Sequence, residues 1–232
     1  MDRPRWFPDE LALSGQEHLD PVYAAGYDRK SGGGIENEVE VLVGLGLEPE
    51  STLVDLGAGT GALALLAAER CRRVVAVEPS GAMLAVLHER LRATPNDVEV
   101  VQAGFLSYEH TGPPADFAYS RNALHHLPDF WKAVALERIH AALRPGGLLV
   151  LRDVVYSFDV REAEETFERW FAGAAKEPAE GWTQADFEEH IREEHSTFTW
   201  LLEPILERTG FEIQSRDYRP QRTYAGYVCR AV

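Results

Sequence analysis

The residues most able to do chemistry begin with Thr52-Leu53-Val54-Asp55-Leu56-Gly57-Ala58-Gly59-Thr60-Gly61, an apolar run closed by an acid and three alternate glycines. Gly57 and Gly59 let a backbone turn tightly and approach a ligand, and the amides of a helix starting behind them can donate to its polar groups. Such a loop suits a nucleotide-like ligand. With Ala62 in third place it also satisfies the dinucleotide pattern G-x-G-x-x-G/A, so the loop alone does not identify the ligand. Glu78 follows at the end of the next apolar run, where a carboxylate can accept both hydroxyls of a ribose. His125 and His126 offer imidazoles that titrate near neutral pH and could serve one as a general base, the other as a packed core residue. Asp153, at the end of a later apolar run, could orient such a histidine.

These groups need a scaffold that brings strand ends together. From Ile35 the chain alternates helical and strand patterns, the form of a parallel sheet covered by helices. Ile35, Val39 and Leu42 give a first helical stripe, and Thr52 to Leu56 the first strand. A helix from about Ala62 to Arg70, a strand Arg73 to Val77, and a helix with Leu84, Leu87 and Leu91 on one face come next. Strands follow at Val98 to Gln102 and Asp116 to Ser120. A helix from about Asp129 to Leu143 is expected to stop at Arg144-Pro145-Gly146-Gly147, before a fifth strand Leu148 to Tyr156. Residues 157–197 break this rhythm and read as an inserted helical cap, whose Trp170, Phe171 and Trp182, with Phe198 and Trp200 beyond, could roof a site or simply pack. Its Asp186, Glu188, Glu189, His190, Glu193, Glu194 and His195 read as a solvated face. Pro204 should kink the next helix or mark the start of a shorter one. Phe211 to Tyr218 and Thr223 to Arg230 read as a closing antiparallel hairpin. Before the glycine loop, residues 1–34 lack periodicity and contain Tyr23, Tyr27 and Ser31-Gly32-Gly33-Gly34, either a loosely packed arm or a lid hinged on those glycines.

At 232 residues, 45% hydrophobic, the chain can bury a sizeable core. Its net charge of -15 opposes binding to nucleic acid, which needs a basic face. Cys71 and Cys229 match neither a zinc-site spacing nor a disulfide framework. No stretch has the length of a membrane span, and Met1 to Trp6 lacks the apolar core of a secretory signal, so a cytoplasmic location is expected. Metal binding is not expected at His125-His126, where no nearby cysteine or helical His pair at i, i+4 adds ligands.

Tyr119-Ser120-Arg121-Asn122-Ala123-Leu124-His125-His126-Leu127-Pro128, with Leu143-Arg144-Pro145-Gly146-Gly147 downstream, makes the pattern specific. From Thr52 to about Asp153 the chain resembles the class I S-adenosylmethionine-dependent methyltransferases of the small-molecule type. Tyr23-Ala24-Ala25-Gly26-Tyr27-Asp28 is similar to the arm that closes over their cofactor. The resemblance implies a Rossmann-like doubly wound sheet of seven strands with an antiparallel C-terminal hairpin and a cap after the fifth strand. It divides the chain into an arm (1–34), a cofactor-binding core (35–156), a cap (157–197) and a core completion (198–232).

The resemblance further implies S-adenosylmethionine as cofactor, with Gly57, Ala58 and Gly59 against its methionine part, Asp55 at its ammonium and Glu78 at the ribose. Pro79 and Met83 would line the adenine pocket, Asn122 would lie near the sulfonium, and Tyr27 would close from above. One departure is plain: where relatives carry an Asp for the adenine amino group, this chain reads Gln102-Ala103-Gly104-Phe105. Backbone at Gly104 and Phe105, with the Phe105 ring on the base, could substitute. For catalysis the resemblance points to His126 or His125, partnered by Asp153 or by an arm tyrosine, Tyr23 or Tyr27. The expected reaction is O- or N-methylation of a small-molecule acceptor, without nucleic acid or membrane, with a homodimer left open. Rival readings are aminocarboxypropyl transfer or cyclisation of the same cofactor, a nicotinamide oxidoreductase, and a non-catalytic cofactor-binding protein.

Overall fold

A computed structural model describes residues 4–15, 17–30, 34–95, 97–178 and 180–232. Ser31 to Gly33 of the expected hinge lie outside the described residues. The chain opens with short helices α1 (Glu10–Leu13) and α2 (Pro21–Lys30), then α3 (Ile35–Gly44). Strands and helices then alternate: β1 (Thr52–Leu56), α4 (Ala62–Ala67), β2 (Arg73–Val77), α5 (Gly81–Arg92), β3 (Glu99–Val101), β4 (Ala115–Arg121), α6 (Asp129–Ala142) and β5 (Leu143–Asp153). After β6 (Val155–Tyr156) come the cap helices α7 (Ala163–Phe171) and α8 (Gln184–Glu193), and then β7 (Thr197–Phe198). Helix α9 (Thr199–Arg208) leads into strands β8 (Phe211–Tyr218) and β9 (Ala225–Ala231).

The seven-stranded sheet runs β3-β2-β1-β4-β5-β9-β8. It is parallel from β3 through β5 and antiparallel at β5–β9 and β9–β8, the Rossmann-like arrangement with its closing hairpin. The strand order reverses between β1 and β4, and ligands gather at such a switch point, outside the carboxyl ends of the strands. Every residue of β1 is buried, as expected for a central strand covered on both faces. One face packs Leu42, Leu63 and Leu87 from α3, α4 and α5. The other packs Leu136 and Ile139 from α6 and Leu202 and Leu206 from α9.

Three boundaries differ from the sequence reading. The Arg144-Pro145-Gly146-Gly147 turn does not lie wholly outside the sheet. Leu143 already pairs with Ala115, and the register shifts before Phe117 meets Leu148, so the turn is absorbed as an irregularity at the start of β5. The expected fifth strand also ends early, at Asp153, and β6 pairs instead with β7 in a separate two-stranded ladder that clasps the two ends of the cap. Pro204 sits inside α9 without ending it, because Leu202 and Leu206, 1% and 0% exposed, bury the helix face on both sides of it. Among the described residues, no helix is long and apolar enough to cross a membrane.

Candidate functional site

A cavity of about 290 Å³ opens at the carboxyl ends of β1, β2 and β4. Its floor is the glycine turn. Gly57 and Ala58 both donate to the Val77 carbonyl, at 2.9 and 3.0 Å, which ties the turn to β2. Gly57 has φ 73°, and a Cβ there would stand 2.4 Å from the Ala123 Cβ. Only glycine fits where the chain after β4 passes so close. Gly57, Ala58 and Gly59 all face the cavity.

Asp55, at 3% exposure, lines the same cavity, and its Oδ2 is buried without a hydrogen-bond partner among the described residues. Burial pushes its carboxyl up to about 7, the Glu78 charge adds to the rise, and the Ala64 backbone N–H opposes it. Glu78 is nearly as buried. Its Oε2 accepts from the Gly59 N–H at 2.9 Å and its Oε1 from the Ser80 N–H at 2.8 Å, so it also braces the turn. Burial raises its pKa against those two bonds. Pro79, Met83, Gly104 and Phe105 form the neighbouring wall, and Asn122 the opposite one. Asn122 holds φ 53°, a left-handed conformation that asparagine tolerates better than most residues. Its N–H donates to the Arg152 carbonyl and its Oδ1 accepts from the Tyr224 hydroxyl, at 2.9 and 2.6 Å.

The lid over this cavity comes from the N-terminal helices. Glu10, His18, Tyr27 and Asp28 line it, and each is tied down through itself or a neighbour. Glu10 Oε1 accepts from the Leu106 N–H at 2.6 Å. The His18 carbonyl accepts from the Ser80 hydroxyl at 2.6 Å, and Asp28 bonds Thr60 and pairs with Arg90. Burial, then the Glu78 charge, pushes the Tyr27 hydroxyl up to about 12, so it stays protonated. Glu10 reaches the segment where the sequence lacks the expected carboxylate. A Cβ on Gly104 would run into the Glu10 carboxylate, so an acid from the arm occupies the space that a side chain at 104 would take.

The cap does not roof the described cavity, since no described residue of 157–197 lines it. Its aromatic residues pack on one another. Phe167 meets Tyr156 and Phe158, Trp170 stacks on Phe187 at 4.5 Å, and Trp200 is 59% exposed.

The two histidines part company. His126 lines the cavity. Its pKa is held well below the usual value, first by burial and next by the charge of His125. His125 turns away and is clamped. Its N–H donates to Asp153 Oδ2 at 3.0 Å, its Nδ1 pairs with Asp153 Oδ1, and its Nε2 meets Glu194 Oε2 at 2.8 Å. Burial alone would lower its pKa, but the charge and hydrogen bond of Asp153, with Glu194 behind them, raise it. Asp153 thus stands against His125 and not against the cavity-lining His126. The arm ring packed on His126 is His18, centroids 5.5 Å apart, while Tyr23 packs on His18 and Tyr27. The acidic stretch of α8 is not uniformly solvated either: His190 and Glu194 turn inward to His125. Glu10, His18 and Glu194 were not singled out for these places by the sequence, because nothing near them in the chain marks their partners.

A family model for a methyltransferase domain matches residues 53–147. An uncharacterized methyltransferase of Geobacillus kaustophilus is 28% identical, the match covering 84% of this chain and all of that protein. Among solved structures, the magnesium protoporphyrin IX methyltransferase of Synechocystis PCC 6803 with bound S-adenosylmethionine superposes at TM-score 0.65, with 15% identity and 99% of both chains covered. A cyclopropane synthase of Mycobacterium tuberculosis gives 0.63 with 21% identity, covering 92% of this chain and 79% of that one; at such identities the likeness is one of fold. Residues 53–147 thus match a methyltransferase-domain model, and the chain shares its fold with solved methyltransferases.

Proposed function

We propose that the protein binds S-adenosylmethionine in the cavity above β1 and β4 and transfers its methyl group to an oxygen or nitrogen of a small-molecule acceptor. The observation that carries this reading is Asp55: a buried carboxylate oxygen without a partner, beside the glycine turn. A buried acceptor left unpaired costs about 1–3 kcal/mol, and the ammonium of the cofactor's methionine end has the charge and donors to meet it. Glu78 has lone pairs left beyond its two backbone bonds, and these suit ribose hydroxyls. Pro79, Met83 and Phe105 supply apolar walls for adenine, with Glu10 placed to accept at its edge. Tyr27 covers the cavity, and Asn122 belongs to the side where the sulfonium would lie.

Bound S-adenosylmethionine supplies an activated methyl group with a neutral thioether as leaving group. The chain's own task is therefore to hold an acceptor in line, to exclude water and to take up a proton. His126 is the side chain suited to that last step. Its depressed pKa keeps it neutral near neutral pH, able to accept a proton but a weaker base than free imidazole, so positioning carries most of the acceleration. His125 and Asp153 act by fixing the loop that carries His126. The test is product analysis on a panel of hydroxyl and amine acceptors. S-adenosylhomocysteine is the expected product, and methylthioadenosine alone would establish aminocarboxypropyl chemistry instead. His126→Ala should lower turnover by ~100 to 10,000-fold with cofactor affinity nearly intact. Full turnover in that variant would leave proximity as the whole mechanism.

A further inference from the structure

Behind His126, outside the cavity lining, three donors converge: His125 Nε2, His190 Nδ1 and a carboxylate oxygen of Glu194, all within 4.8 Å of one another. We propose that they bind one divalent transition-metal ion, of the zinc class, which pins the cap to the loop after β4. The proposal is independent of the cofactor reading.

The first argument is the far side of each ring. His125 Nδ1 is held by Asp153 Oδ1, and His190 Nε2 lies 2.8 Å from the Ser196 hydroxyl. Each imidazole thus has one nitrogen committed to an outer partner and the other turned to the centre, and metal-ligating histidines are built this way, a carboxylate–histidine pair being the commonest form. His190 and Glu194 stand one helical turn apart, which puts both on one face. The second argument is charge. Asp153 is 2% exposed and the Glu194 side chain 19%, so two carboxylates bracket one buried imidazole. Balancing both with protons would require His125 and His190 to be charged together, with ring centroids 5.0 Å apart. The neighbouring Lys132 is committed to Asp129 and the His195 carbonyl. A dication at the centre would balance both acids while leaving each histidine neutral.

The third argument is fit. Two donors at about 2.0–2.1 Å from one ion stand at most about 4 Å apart, and these lie within 4.8 Å of one another, so an ion enters by rotation of the Glu194 side chain, which now meets His125 Nε2 at 2.8 Å and His190 Nδ1 at 2.6 Å, with a small inward shift of the two rings. Two nitrogens and one oxygen suit zinc and its neighbours better than calcium or magnesium. The same spot holds the cap in place, since the His195 N–H donates to the His125 carbonyl at 3.0 Å and Thr197 bonds Asp129.

The test is titration of the chelator-stripped full chain with Zn²⁺ against a chromophoric chelator, repeated with Co²⁺ read by visible absorption. One tight equivalent is expected, with the cobalt spectrum of a low-coordinate nitrogen–oxygen site and a melting temperature raised by the metal. Asp153→Asn should weaken binding about 10–100-fold as an outer partner, and His190→Ala and Glu194→Gln by more. Glu189→Gln and Glu193→Gln, on the exposed side of the same segment, should bind as wild type. Should His190→Ala lose its fold by circular dichroism, Glu194→Gln, which keeps the side-chain volume, decides alone. No stoichiometric binding by wild type, or equal affinity in Glu194→Gln, would overturn the proposal and leave a purely hydrogen-bonded clamp.

Discussion

Asp55 couples the site to pH. Its folded-state pKa of about 7 means that in the free protein the carboxyl is protonated below that value and charged above it. An ammonium ligand binds the charged form. Affinity for S-adenosylhomocysteine should therefore be flat above pH 8 and fall by about tenfold per unit below 7, with proton release on binding. Asp55→Asn should flatten that profile and lose about 1.5–3 kcal/mol at pH 8. Calorimetry in buffers of different ionisation enthalpy measures both, and an unchanged slope in Asp55→Asn would place the titrating group elsewhere. Asp55, Gly57, Gly59 and Glu78 could all be found in the sequence because strand, turn and helix start are encoded within 27 consecutive positions, Thr52 to Glu78. The Glu10 contact spans 96 positions, and His125 meets Glu194 from across the cap. No local pattern encodes pairings of that kind, so these residues emerge only when the fold is closed. The same limit explains Asp153. Its strand-end position was plain, but which of two adjacent imidazoles it meets depends on the short helical turn at Leu124–His126.

At the scale of elements, the arm takes the covering place that one of its two readings gave it, and the cap does not. Helices α1 and α2 cover the cavity, and the cap packs against itself, the His125 loop and Lys30 of α2. Aromatic composition signalled burial in the cap but not its direction, because π-rich residues pack as well on one another as on a ligand. The strands β6 and β7, two residues each, were too short to show a period. The arm's bonds to Ser80, Thr60 and Leu106 close over the same face that the cofactor would occupy, so ligand and arm should stabilise each other. Limited proteolysis should cut the arm markedly more slowly with S-adenosylhomocysteine present, and Glu10→Ala should reduce that protection while costing about 0.5–1.5 kcal/mol for a lost hydrogen bond. Equal cleavage with and without ligand would show that the arm does not respond to the site.

At the scale of the molecule, the alternation of helical and strand patterns after Ile35 was enough to give the doubly wound sheet, since each amphipathic stripe has one sheet face to cover. The two faces bury Leu87 and Leu136, both 0% exposed, on opposite sides of the same strands. Truncating either to alanine should cost about 2–5 kcal/mol. Chemical denaturation of both variants should show one transition shifted alike, whereas separate transitions would mean that the two layers unfold independently. The sheet places the switch point, the switch point places the turn between β1 and α4, and that turn with the lid defines the cavity. Calorimetric titration of the folded full chain with S-adenosylhomocysteine at pH 8 tests the central claim most directly. A single site per chain, lost or strongly weakened in Asp55→Asn, is the predicted result; a folded sample that takes up no ligand at millimolar concentration would contradict it.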